Sequence, residues 1–124
     1  MQVPILKQGR FLIATVQAAL SDKGLKFLQA DLLEKVGSFR SQGVIVDVTT
    51  LDVIDSFATR TLRNIAETTK LRGAEVVIVG IQPDVAFAMV QLGLNLKGTE
   101  TALDLEEGLE VLNQKLKKRE SDGL

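Results

Sequence analysis

A chain of 124 residues with 45% apolar content can bury one core without disulfide staples, and 15 basic against 16 acidic side chains leave a formal charge of −1. That near-neutrality removes the basic footprint of a nucleic-acid binder, and five Phe without Trp or Tyr offer little surface for stacking bases. The chain has no Cys and no His, which excludes thiolate nucleophiles, His general bases, Ser-His triads and Cys/His zinc sites built from this chain alone, and fits a reducing cytoplasm.

In chain order, 3–7 and 10–16 are β-prone runs joined by Gln8-Gly9, where the glycine supplies the positive φ of a tight turn; an antiparallel hairpin is expected. Two cations ahead of FLIATVQAA imitate a signal peptide, but Thr15 and Gln17 break the apolar run and its alternation is that of a strand. No stretch reaches the roughly 20 apolar residues of a membrane-spanning helix. After Ser21-Asp22-Lys23-Gly24, the residues Leu25, Leu28, Leu32, Val36 and Phe39 recur at spacings of three and four. This predicts an amphipathic helix with those five inward and Lys26, Gln29, Glu34 and Lys35 in solvent, stopped by Ser41-Gln42-Gly43.

The stretch 43–62, GVIVDVTTLDVIDSFATRTL, organises the rest. Its β-branched run, Val44, Ile45, Val46 and Val48, has the composition of a strand buried on both faces. From 49 to 55 hydroxyls and carboxylates mix with Leu51, Val53 and Ile54, and from Phe57 the apolar positions Ala58, Leu62 and Ile65 predict a helix over 57–71. Ser56 therefore stands at a strand-loop-helix junction. Either Ser56 or Asp55 caps the helix, or Ser56 is a modified residue. A phosphoserine carries about −1.5 to −2 charges, which a helix N-terminus favours and the nearby Asp52 and Asp55 oppose, a conflict that suits a binding switch. Arg60, Arg63, Asn64 and Glu67 fall on the outer face. If Ser56 is a contact point, Arg60 and Arg63 with Thr59 and Asn64 lie next to the partner; otherwise they are a hydrated helix face.

Gly73 ends this helix, and EVVIV over 75–79 predicts a second buried strand parallel to 44–48. Pro83 opens a short helix with Val85, Met89 and Leu92 apolar, closed by Gly93 with Leu94 in capping contact. A brief edge strand is placed near Leu96 or Thr101. Asp104 and Glu107 form a D-x-x-E start for a last helix whose stripe is Leu105, Leu109, Leu112 and Leu116, with Lys115, Lys117, Lys118 and Arg119 towards its C-terminus. The expected domain is 1–119, with 120–124 a frayed tail. Its class is α/β, one domain with a mixed sheet, an N-terminal hairpin and about four helices.

Asp47, Asp52 and Asp55 suggest a metal-dependent phosphotransfer site, against which stands the simpler reading of a solvated acidic loop. Neither G-x-G-x-x-G nor a P-loop occurs, and Gly80-Ile81-Gln82-Pro83 is too short to cradle phosphates. No metal and no cofactor is expected.

The phrases PILK, IDSF, GIQP and TALDLEEGLE, in this order of elements, resemble the STAS domain family, the sulphate-transporter and anti-sigma-factor-antagonist domains, over nearly the whole chain. Within it they look most like the minimal stressosome scaffolds, a match that this length, with no room for a sensor domain, supports. The resemblance implies that Ser56, preceded by Asp55, is a phosphoacceptor for an RsbT-type serine/threonine kinase. It implies a non-catalytic scaffold that holds this kinase and releases it on phosphorylation, in a general stress or related response. It also implies homo- and hetero-oligomers with sensory STAS paralogues of the RsbR type, in the cytoplasm, without nucleic acid or membrane. The second phosphorylatable Thr of the sensory relatives has no counterpart, since 84–92 contains no Ser or Thr. Docking is then expected on Asp52, Asp55, Thr59, Arg60, Arg63 and Asn64. The alternative within the family is a free anti-anti-sigma factor that binds an anti-sigma kinase directly.

Overall fold

The computed structural model describes residues 3–17, 20–93, 96 and 98–122. Its elements follow in the order β1 (Ile5–Gln8), β2 (Phe11–Thr15), α1 (Asp22–Phe39), β3 (Gly43–Asp47), α2 (Ser56–Leu71), β4 (Glu75–Val79), α3 (Pro83–Gln91), β5 (Glu100–Ala102) and α4 (Leu105–Asp122). The strands form one sheet in the order β1-β2-β3-β4-β5. Among the described residues, only the β1/β2 hairpin is antiparallel, and the other three pairings are parallel. Gln8 pairs with Phe11, so the hairpin loop is Gly9-Arg10, one residue later than the expected Gln8-Gly9, and Gly9 at φ 59 supplies the turn.

Strand alternation divides the core in two. Leu12, Ala14, Val44, Val46, Val76 and Ile78 pack against α1, α2 and α3, while Phe11, Ile13, Ile45, Val77 and Val79 pack against Leu112 and Leu116 of α4. β3 and β4 are covered on both faces, which is why their sequences are almost wholly β-branched. Among the described residues, no helix is long and apolar enough to cross a membrane.

Several boundaries differ from expectation for identifiable reasons. Helix α1 starts three residues before Leu25, because the Ser21 hydroxyl accepts the Gly24 amide at 3.1 Å and turns the expected punctuation into a capped first turn. It ends at Arg40 in the left-handed region (φ 51), one residue ahead of Ser41. Phe39, expected in the buried stripe, is 46% exposed in the last turn, with the Lys7 ammonium 5.6 Å from its ring centre. Leu92 is likewise exposed, since it sits at the C-cap of α3, and the contact expected of Leu94 lies outside the described residues. The edge strand forms around Thr101 and not at Leu96. Helix α4 starts as its D-x-x-E predicts, with the Glu107 amide donating to Asp104 at 2.8 Å and the Leu103 amide donating to Glu107 at 3.2 Å. It continues to Asp122, past the expected fraying point at 119, and Glu120 lies 3.5 Å from Arg10.

Gly108 sets how closely α4 approaches the sheet. A Cβ there would stand 2.6 Å from Val79 Cγ1, a side chain held by the packed strand. Gly108→Ala, which on an exposed helix face would add about 1 kcal/mol, is expected instead to lower stability by about 1–3 kcal/mol through overpacking. Urea unfolding checks this; a raised midpoint at unchanged m would contradict it.

Candidate functional site

The loop 48–55 leaves the carboxyl end of β3, the third of five strands, and is tied to both neighbouring strands. The Val16 amide donates to Asp47 O at 2.8 Å, and the Val48 amide donates to Val79 O at 3.0 Å. The Asp47 carboxylate then accepts the amide and the hydroxyl of Thr49, which turns the chain out of the sheet. Thr50 donates to Val16 O at 3.0 Å, and Gln82 Nε2 donates to Thr49 O at 2.6 Å. Gly80, at φ 81, lies so close beneath Thr49 that a Cβ would come within 3.0 Å of the Thr49 Cα. Beyond these ties Leu51 and Ile54 turn inward and are buried, while Asp52, Val53 and Asp55 face outward. Of the loop's apolar residues only Val53 faces solvent, and the others, Val48, Leu51 and Ile54, serve as anchors.

At the end of the loop the two capping possibilities resolve. Asp55 has extended backbone (φ −109, ψ 178), and its carboxylate accepts the Ala58 amide at 2.8 Å. Ser56 is the first helical residue, one position earlier than expected. Its side chain is partly exposed, and among the described residues its hydroxyl has no hydrogen-bond partner. The group is thus presented by the helix start without being used by it.

The other expected contact residues separate. Arg60 and Asn64 are exposed on α2, and Arg63 is partly buried with an Nε that has no acceptor among the described residues. Thr59 does not belong to this surface: it is 1% exposed, and its hydroxyl donates to Asp55 O at 3.0 Å. It falls on the inward stripe with Leu62 and Ala66, and the back-bond to the preceding turn satisfies its oxygen there. The three aspartates do not converge on a cation site. Asp47 is engaged by Thr49 and Asp55 by Ala58, and among the described residues no group of three or more acidic side chains is placed to hold a metal.

Two features escaped sequence reasoning. Lys26, assigned to solvent on α1, places its ammonium 5.7 Å from the ring centre of Phe57, beside Ser56; only the packing of α1 on α2 creates this neighbour. A cleft of ≈ 220 Å³ also opens between the start of α1, the loop and the start of α2, floored by Val16, Leu25, Leu51 and Leu62 with Asp22 and Asp55 on its rim. Val53, 75% exposed, stands at its lip, and this apolar residue in an acidic loop was the available signal. The cleft is smaller than the roughly 300–1,000 Å³ of typical small-molecule sites.

The division of labour between Asp55 and Ser56 can be measured. Asp55→Ala should cost about 0.5–2 kcal/mol through the lost cap, whereas Ser56→Ala should stay within about 0.5 kcal/mol of wild type. Urea unfolding of both variants checks this, and the opposite order would mean that Ser56 carries the helix start.

The STAS domain model matches residues 2–108. Among curated proteins, the chain is 32% identical over 86 residues to the RsbT co-antagonist protein RsbRA of Bacillus subtilis (strain 168), and 27% identical over 86 residues to RsbRD of the same strain. Each match covers 69% of this chain but only 31% of the relative, so the chain spans about a third of the length of these proteins. Among solved structures, a serine-to-glutamate variant of RsbS from Moorella thermoacetica superposes with a TM-score of 0.83 at 33% identity, over 93% of this chain and 97% of that one. A chain from a structure describing the molecular architecture of the stressosome, a signal integration and transduction hub, gives a TM-score of 0.81 at 34% identity, over 91% and 98%. With the family model matched over most of its length and the fold shared throughout, this chain belongs to the STAS domain family.

Proposed function

We propose that the chain is a non-catalytic stressosome scaffold and antagonist. It holds an RsbT-type serine/threonine kinase on the face around Ser56 and releases that kinase when Ser56 is phosphorylated, in a general stress or related cytoplasmic response. The observation that carries this reading is the partly exposed hydroxyl at the first position of α2, without a hydrogen-bond partner among the described residues, beside an Asp55 that does the capping. The end-to-end similarity to RsbS supports it. In the transfer, the Ser56 oxygen attacks the γ-phosphorus of ATP, the bond to ADP breaks, and the hydroxyl proton passes to a base of the kinase. The product carries about −1.5 to −2 charges next to the exposed Asp52 and Asp55. Because Leu51 and Ile54 pin the loop, the phosphate changes the surface more than the fold.

In the same reading the docking face comprises Asp52, Asp55, Arg60, Arg63 and Asn64, with Thr59 beneath it as support. Homo-oligomers and mixed assemblies with RsbR-type paralogues complete the scaffold role. A free anti-sigma-factor antagonist of the same fold would not need them. Light scattering with and without a sensory paralogue separates the two: a large mixed particle is expected, and a persistent monomer would favour the free antagonist.

Incubation with an RsbT-type kinase and ATP should place one phosphate on the peptide containing Ser56 and none on Ser56→Ala. In kinase pull-downs, Ser56→Ala should retain the kinase and the phosphorylated protein should lose it by about tenfold or more, a change of about 1.4 kcal/mol. Ser56→Asp should fall between them, having less charge and fewer acceptor oxygens. Equal retention of all forms would rule the mechanism out.

A further inference from the structure

From the distribution of unpaired charge around Ser56 we infer the chemistry of the surface that docks there and the means of its displacement: the partner presents a carboxylate to Arg60, supported by Lys26, and phosphate on Ser56 takes Arg60 for itself. The inference rests on the reading of Ser56 as a phosphoacceptor and adds to it the residue that reads the phosphate.

Away from this face four cations are matched by carboxylates, and others, Lys23 and Lys118 among them, stand unpaired as surface charges among the described residues. Arg10 meets Glu120, Lys35 meets Asp31, and Lys115 and Arg119 share Glu75, Lys115 also reaching Glu100. Among the described residues, Lys26, Arg60 and Arg63 have no carboxylate within 4.0 Å. Lys26 rests over the Phe57 ring, and the guanidinium of Arg63 is partly sunk, which leaves Arg60 as the exposed arginine on this face. Arg60 and Arg63 lie along α2 beyond Ser56, while the exposed Asp52 and Asp55 lie on the loop side and the exposed Asp22 one turn ahead of Lys26 on α1. A docking surface complementary to the helix side is therefore acidic.

Ser56 and Arg60 stand four residues apart on one helix, so their Cβ atoms are about 5–6 Å apart on the same face, and the acidic member on the N-terminal side is the favoured orientation. A phosphoserine at the first position offers several oxygens to the planar guanidinium, which a single partner carboxylate must share or leave. Two effects then act in one direction. The phosphate repels the partner's carboxylate, and it removes the cation that held it. A basic partner would behave oppositely and bind phosphorylated protein more tightly. The argument uses the side-chain cations and not the amides of the helix end, so removal of Arg60 tests it directly.

The experiment compares wild type, Arg60→Gln and Lys26→Gln, each with serine or with phosphoserine installed at position 56 by codon reassignment. In the phosphorylated proteins, a phosphorus NMR titration should give a second ionisation lower by about half a unit to one unit in wild type than in Arg60→Gln, because the guanidinium stabilises the dianion. With an RsbT-type kinase, Arg60→Gln should weaken binding of the unphosphorylated protein about tenfold, and the penalty for phosphorylation should shrink to about threefold or less. Lys26→Gln should act in the same direction with a smaller change. Identical phosphate titrations in wild type and Arg60→Gln would overturn the capture by Arg60. Kinase binding by Arg60→Gln within twofold of wild type, with the phosphorylation penalty intact, would overturn the acidic docking surface. A kinase that ignores unmodified wild type would count against the preceding reading of the chain as a kinase scaffold, while the phosphorus titration would still decide the contact between phosphate and Arg60.

Discussion

Because the Asp55 carboxylate takes the Ala58 amide at 2.8 Å, the first turn of α2 is satisfied by a residue other than the serine beside it. A serine at the cap itself would have its oxygen engaged with the backbone, and modifying it would remove a helix-stabilising bond. Shifting the cap one residue back frees the hydroxyl at small cost to the fold. Chemistry at Ser56 is thereby separated from the stability of the helix that presents it. The back-bonded Thr59 reinforces the arrangement from below, since its hydroxyl closes on the carbonyl of the same Asp55.

The loop before the cap is held from two sides. Thr50 reaches the strand end at Val16, Gln82 reaches Thr49 from the turn after β4, and Leu51 and Ile54 are sunk between the helices. These ties come from segments 30 or more positions away along the chain, with separations of 34 for Thr50–Val16 and 33 for Gln82–Thr49. They explain why so polar a loop stays close to the sheet, and why exchange of its outward residues leaves the core undisturbed.

The strands and helices were largely legible because their periodicities are clean. VIV and VVIV match strands covered on both faces, and Leu25, Leu28, Leu32 and Val36 match a helix lying on them. Periodicity did not say where coverage stops. Phe39 and Leu92 continue their stripes past the last packed turn, and both are exposed. It also misplaced Thr59, whose polar side chain suggested the outer face although its position belongs to the inner one. Ser56, which stands at the first position of α2, was singled out from the junction and from the family phrase around it. Lys26 was not, because its nearness to Phe57 arises only when α1 lies along α2.

The close approach of Gly80 to Thr49 carries a consequence for variation among chains of this shape. Any residue with a side chain at position 80 must both adopt an unfavourable backbone and crowd the Thr49 Cα, which no exchange of the Thr49 side chain relieves, so position 80 is held to glycine. Asp52 and Val53, pointing away from this joint, face no such constraint. The outward residues can thus be exchanged on a fixed hinge, which lets the loop's surface vary while its path over the sheet is kept.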